Sequence, residues 1–315
     1  MISRSTLVGA LVVVELVIVA AAGQAISGGA PAYASGPAPG THRHFGFTFH
    51  NRNAPAVTST LDKTFGAGGL TPRVVVDVSD VPVTVQTGSL PAVHVVGTVR
   101  KSRFRDPEAG AITAVQTADG VRITASDTSD VHGTFERTLR LTVPPGALVE
   151  IASGGAVSAS GLRAKLIVHV NDGAIRVANQ RGDVDVTTAS GDVELVDVHA
   201  DAIVAHTDEG HVKLTSVGAD HVDAHTASGD IAATDLRAVD GALTTADGAV
   251  GVTFAASSDA NVNLHTDDGS ITGAGAAAET TDSAQSRSLR LGSARGSFTV
   301  STGSGSITIS QGANA

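Results

Sequence analysis

The groups in this 315-residue chain that could hold a metal or move a proton are its 12 His and 31 acidic side chains, and several share one spacing. His206 and His225 lie 19 residues apart, with His169 and His265 at equivalent points of the pattern and Thr187 and Thr244 between. Imidazoles stacked in this way are candidate metal ligands, and Asp223 is near in sequence. A metal site needs three or four donors that converge, whereas outward side chains on parallel strands run side by side. His206 and His225 are therefore named as metal candidates, but the expectation is a solvated ladder with no metal and no cofactor. A second column, Asp192, His211 and Asp230, would set an imidazole between two carboxylates. Glu194 would pair with Lys213, a surface interaction of small worth.

Asp208-Glu209 and Asp267-Asp268 are paired carboxylates of the kind that serve acid–base chemistry. Glycan-cleaving β-helical enzymes combine such pairs with long rungs, elaborate loops and aromatic platforms for sugars. This chain has eight Phe, one Tyr and no Trp. No catalytic residue is assigned, and the protein is not expected to be an enzyme. The absence of Cys excludes disulfides, thiolate metal sites and cysteine nucleophiles. The calcium-binding nonapeptide repeat Gly-Gly-x-Gly-x-Asp is missing too. A net charge of −10 argues against a nucleic-acid partner.

The elements that must position these columns announce themselves as Thr-x-x-Gly. The signal recurs at Thr188–Gly191, Thr207–Gly210, Thr226–Gly229 and Thr245–Gly248, each step being 19 residues, and again at Thr266–Gly269 after 21. A fixed period near 20, with one structural unit per period, marks a stacked repeat architecture. Alternating apolar residues precede each signal (Leu166 to Val170, Val184 to Thr188, Ile203 to Thr207, Val222 to Thr226, Leu243 to Thr245, Val262 to Thr266). Others follow it, from Ile175 and Val177 to Val250 and Val252. Period-two alternation over so few residues reads as short strands. Such strands cannot bury an apolar face alone, but stacked on their neighbours they share one core. The fold class expected is all-β, a single-domain β-solenoid with rungs of about 19 residues. At each corner Gly is expected to supply a positive φ, and the inward Thr to satisfy a turn backbone group. Thr117-Ala118-Asp119-Gly120 matches the same signal.

Residues 72–311 make up the expected solenoid domain, most regular over 149–271. A surface loop is expected over 273–286, and the last rungs near Leu289–Leu291, Phe298–Val300 and Thr302–Ile307. Upstream, Leu7 to Ala22 is apolar except for Glu15, which would cost about 3 kcal/mol in a bilayer centre. Residues 1–26 read as a hydrophobic helix serving as a signal or membrane anchor, with the rest of the chain outside the cytoplasm. The alternative is cleavage near Ala34, after Ala32-Tyr33-Ala34, and secretion. Residues 27–71, rich in Gly, Pro and Ala, read as a linker. Within it Phe45, Phe47 and Phe49 alternate, as a short strand capping the open end of the solenoid would.

Val143-Pro144-Pro145-Gly146, followed by Val149-Glu150-Ile151 and by the Ser-Gly-Asp corners at 190–193 and 228–231, resembles a known bacterial group. It is similar to the putative-adhesin domain-of-unknown-function family of β-strand-repeat proteins, over roughly Val74 to Ile309. The resemblance implies an exported or membrane-anchored module and brings no catalytic residues with it. The expected function is a non-enzymatic surface or adhesive module of the cell envelope. The rivals are a scaffold that polymerises end to end and, behind it, a polysaccharide-active enzyme. The expected partners are an unidentified envelope ligand, the membrane through the N-terminal segment only, and other copies through the solenoid ends.

Overall fold

The computed structural model describes residues 57–66, 71–102, 110–126, 134–274, 278–282 and 285–312. Pro55–Ala315 forms one compact unit. The expected N-terminal helix, most of the linker and the Phe45, Phe47, Phe49 strand lie outside the described residues.

Every element described is a strand, and 22 strands join in one sheet that coils on itself in a solenoid-like manner. The middle of the chain builds regular rungs from β8 (Leu148–Ser153), β9 (Val157–Ser160), β10 (Leu166–Val170), β11 (Ile175–Gln180), β12 (Val184–Ser190), β13 (Val193–Glu209), β14 (Val212–Ser228), β15 (Ile231–Asp247) and β16 (Val250–Phe254). Two faces result. On the first, β8, β10, β12 and the later halves of β13, β14 and β15 stack in parallel. On the second, β9, β11, the early halves of those three long strands and β16 do the same. Alternation then decides which side of each strand is buried. Val184, Ile203 and Val222 stack inward on the first face, and Val193, Val212, Ile231 and Val250 on the second. Val198, Val217 and Leu236 close the third side and are also buried.

The ends depart from this order. At the N-terminal end lie β1 (Val57–Gly66), β2 (Arg73–Val78), β3 (Val83–Thr87), β4 (Ala92–Ser102), β5 (Ile112–Gln116), β6 (Gly120–Ala125) and β7 (Thr134–Val143). The rung β2/β3 sits between β8/β9 and β6/β7, although it precedes both in sequence. Antiparallel strands finish the stack: β5 on β6, then β4 on β7 and β1 on β4. β1 falls inside the stretch expected to be linker. Thr117–Gly120 is the turn of the β5–β6 hairpin, where the Thr117 amide donates to the Gly120 carbonyl, and not a solenoid corner.

The C-terminal end comprises β17 (Ala260–Asp268), β18 (Ile271–Ala274), β19 (Ala278–Asp282), β20 (Ser286–Arg290), β21 (Gly296–Ser304) and β22 (Ile307–Gln311). The rung β21/β22 lies between β15/β16 and β17/β18, so spatial order again inverts chain order. Leu289 to Leu291 is not a rung, because β20 runs antiparallel to β17 and carries β19 on its other side. Within the stretch expected as a loop, Ala278–Asp282 is thus a strand paired with β20. Period and alternation report that a segment stacks; they carry no information on which neighbour it stacks against.

Candidate functional site

The corners hold the residues that the spacing singled out, and they bind rung to rung. The Thr188 hydroxyl donates to the Gly173 carbonyl at 3.0 Å, Thr207 to Gly191 at 3.0 Å, Thr226 to Gly210 at 2.9 Å and Thr245 to Gly229 at 2.9 Å. Thr302 donates to Gly248 at 2.8 Å and Thr266 to Gly305 at 3.0 Å, following the inverted order of the last rungs. All six threonines are buried. The acceptor in each case is a corner carbonyl of the adjoining rung, which would otherwise be left short of a donor.

Glycine is required at most of these corners for a reason other than the expected positive φ. Gly191, Gly210, Gly229 and Gly269 do not occupy the positive-φ region, whereas Gly248 (φ 159°) and the equivalent Gly305 (φ 151°) do, as expected. A Cβ on Gly210 would instead collide with the Gly191 carbonyl, one on Gly229 with that of Gly210, and one on Gly248 with that of Gly229. Gly305 abuts Gly248 and Gly269 abuts Gly305 in the same way. The glycines are a ladder of close backbone approach. The left-handed corner lies elsewhere in the rung, at Asn179, Asp197, Ser216 and Asp235, with φ of 53°, 52°, 52° and 56°. Asn and Asp tolerate that conformation better than most residues. Their recurrence every 18 or 19 positions was the available signal.

Outward from the first face, one register column runs His169, Thr187, His206, His225, Thr244, Ser301, His265. The His206 and His225 rings meet edge to face with centroids 4.8 Å apart. His206 Nε2 lies 3.2 Å from Asp208 Oδ1, and His265 Nε2 lies 3.0 Å from Asp267 Oδ1. Among the described residues no three His, Asp or Glu converge as a metal site would require.

Asp192, His211 and Asp230 do stack, but as caps on the backbone. The His211 amide donates to Asp192 Oδ1 at 2.9 Å, the Asp230 amide to His211 Nδ1 at 3.0 Å, and the Ala249 amide to Asp230 Oδ1 at 2.8 Å. Each side chain thus satisfies an N–H one rung further along, and His211 does so with a ring-nitrogen lone pair. Glu194 meets Lys213 at 3.3 Å as expected, and it also pairs with Arg176, which the spacing argument missed.

The second face presents a different surface. Thr215, Thr234, Thr253 and Ser310 form one outward column, beside Ala232, Gly251, Thr308 and Thr272. All are exposed or half-exposed. These rungs offer a flat strip of hydroxyls and small groups, whereas the first face offers imidazole and carboxylate. Charge is also unevenly placed along the chain. Residues 182–268 hold 17 acidic and two basic side chains, a balance of −15 that exceeds the −10 of the whole.

No curated protein matches the chain. Solved structures with related shapes include a putative adhesin from Bacteroides fragilis (11% identity, 80% of this chain and 97% of that one, TM-score 0.48). Another is a putative adhesin from Parabacteroides merdae (11%, 83% and 98%, TM-score 0.47). A third is a putative lipid binding protein from Parabacteroides distasonis (12%, 83% and 98%, TM-score 0.48). The family Toastrack DUF4097 matches residues 72–310, which takes in the rungs from β2 to β22 with their inverted ends and the whole corner ladder, and the chain belongs to that family.

Proposed function

We propose that this protein is a non-enzymatic surface module of the cell envelope, adhesive or structural, held at the membrane by its apolar N-terminal segment. The observation that carries the reading is the division of labour within each rung. The corner Thr, Gly and Asp and the inward apolar residues are engaged in corners and core, and the outward side chains form two long, unlike faces. Ladders of this type suit multipoint contact with an extended partner better than they suit turnover, which needs groups converging on one reacting atom. The adhesin names of two structural neighbours agree with this reading but do not add to it.

End-to-end polymerisation has less support. Antiparallel strands finish both faces at the N-terminal end, and the β19–β20 pair finishes the first face at the other, so most stack ends present an antiparallel strand and not a bare rung on which a like rung could stack in parallel. The test is retention of residues 55–315 on envelope preparations, with binding measured against concentration. Saturable retention that a competing excess of the same fragment removes is the expected result. Retention no greater than that of an unrelated acidic protein overturns the proposal.

A further inference from the structure

We propose that two copies of this chain join by exchanging their C-terminal rungs, β21 and β22 of each copy filling the slot between β15/β16 and β17/β18 of the other. The inference is independent of what the outward faces bind.

It starts from the inverted order. The two rungs that wall the slot both precede β21 in the chain, so neither wall is built from the segment that fills it. The walls match each other position by position through the insert. Leu243 and Leu264 both register with Val300, Thr245 and Thr266 with Thr302, and Asp247 and Asp268 with Ser304. The insert is held on both sides by the corner bonds Thr302 to Gly248 and Thr266 to Gly305. Backbone bonds add to these, from the Gly248 amide to Ser304 and from the Gly305 amide to Asp268, each 3.0 Å. Phe298 is fully buried against Phe254, edge to face at 5.3 Å. Residues 296–312 carry no charge, so their transfer into the acidic body of a second copy meets no like-charge repulsion. All these contacts lie on one side of the joint that leads into β21. They are the same whether the rung comes from the same chain or from another.

The joint decides which arrangement is populated. It is short, residues 291–295, and Ala294 is held at φ 59°, a conformation unfavourable for a residue with a side chain. Five residues extended span about 17 Å, which is the reach of the joint once opened. Short joints under strain invite exchange of this kind, because opening them relieves the strain while every other contact is rebuilt. Asp259 holds the joint closed. It accepts from the Ser293 hydroxyl at 2.7 Å and the Arg295 amide at 3.2 Å, and pairs with the Arg295 guanidinium at 3.2 Å.

The chain lacks Cys, so an engineered pair reports without background. Thr244 and Ser301 are outward register partners whose hydroxyl oxygens lie 3.2 Å apart. Full-length T244C/S301C, extracted in mild detergent and oxidised, should form the bridge within one chain, which checks both fold and geometry. The two single variants, differently tagged and co-expressed, are then oxidised together. Exchange predicts a disulfide-linked heterodimer bearing both tags, with no disulfide-linked homodimer when either variant is expressed alone. Asp259→Ala should raise its yield severalfold, and Ala294→Gly, which relieves the strain of the closed joint, should lower it. Efficient bridging in the double variant with no linked heterodimer, even in the Asp259→Ala background, overturns the proposal.

Discussion

The middle rungs and the two ends of this molecule use the same residues under different rules. From β8 to β16, each rung rests on the one before it in sequence, and core positions recur at 17 to 19 residues, settling at 19 from β12 onward. At both ends the chain runs outward, turns back with antiparallel strands, and sets a rung between two that are separated from it in sequence. The middle is a repeat whose neighbours supply everything a rung needs. An end has one neighbour too few, and its open row of N–H and C=O groups must be closed by other means. The arrangement implies a middle that is stiff and uniform and ends that are individually built and easier to rearrange.

The largest expected difference between the two regions is in core truncation. Leu214 is fully buried with rungs stacked on both sides, and Leu214→Ala should cost about 4 kcal/mol, since packed neighbours cannot collapse into the hole. Leu289 on the cap strand β20 is 8% exposed, and Leu289→Ala should cost about half as much, because a cap can shift inward. Chemical denaturation of the two variants measures both, and equal losses would contradict the contrast. The corner ladder follows. Gly229→Ala forces a methyl against the Gly210 carbonyl and should cost about 3 kcal/mol, as overpacking against backbone cannot be relieved by a rotamer change. Gly146→Ala, in the turn that leads from the N-terminal end into β8, has open space around its Cβ position and should change stability by less than about 0.5 kcal/mol. Thermal midpoints of the pair would settle whether close approach is what these glycines provide.

How far the fold can be read from the chain follows the same division. Leu166, Val184, Ile203 and Val222 are legible as one buried column because identical surroundings impose an identical spacing. His206 and His225 are legible as neighbours for the same reason, since a constant step carries outward residues along with inward ones. The position of β21 between β15 and β17 is not legible, because Thr245, Thr266 and Thr302 would fit any order of the three rungs equally well. Thr117–Gly120 shows the converse: the same four-residue signal also makes a hairpin turn. The carboxylates of Asp192 and Asp230 could be placed in a column, but not their partners. A side chain one rung from an unpaired amide caps it, and nothing in the spacing distinguishes that from an ion pair.

A smaller effect separates the corner threonines. Thr226→Val keeps the shape of the side chain and removes the donor to Gly210, and should cost about 1–2 kcal/mol through the unsatisfied carbonyl. Thr302→Val removes the equivalent bond to Gly248 and should cost about as much in stability, but it also loosens the interposed rung. Hydrogen exchange would then show faster opening confined to β21 and β22 in Thr302→Val, and spread over neighbouring rungs in Thr226→Val. Identical patterns would mean that the end rung is as firmly integrated as the middle ones.

The smallest expected effect is electrostatic and belongs to the C-terminal joint alone. The Ser293 hydroxyl bond, and after it the Arg295 amide and guanidinium, hold the Asp259 carboxyl below its usual value of 3.8. A carboxyl whose folded value is depressed binds its proton less readily in the folded state than in the unfolded one. Its contribution to stability is therefore fully present above pH 3.8 and is lost as the pH falls through the folded value. Asp259→Asn should lower the thermal midpoint modestly at neutral pH, and the gap from the parent protein should close progressively below pH 3.8. The Arg295 side chain is largely exposed, so added salt should screen its pairing with Asp259 and narrow the gap as well. A gap that persists unchanged into acid would mean that Asp259 acts through packing rather than charge. The joint would then be held by shape, and acid would not favour rung exchange.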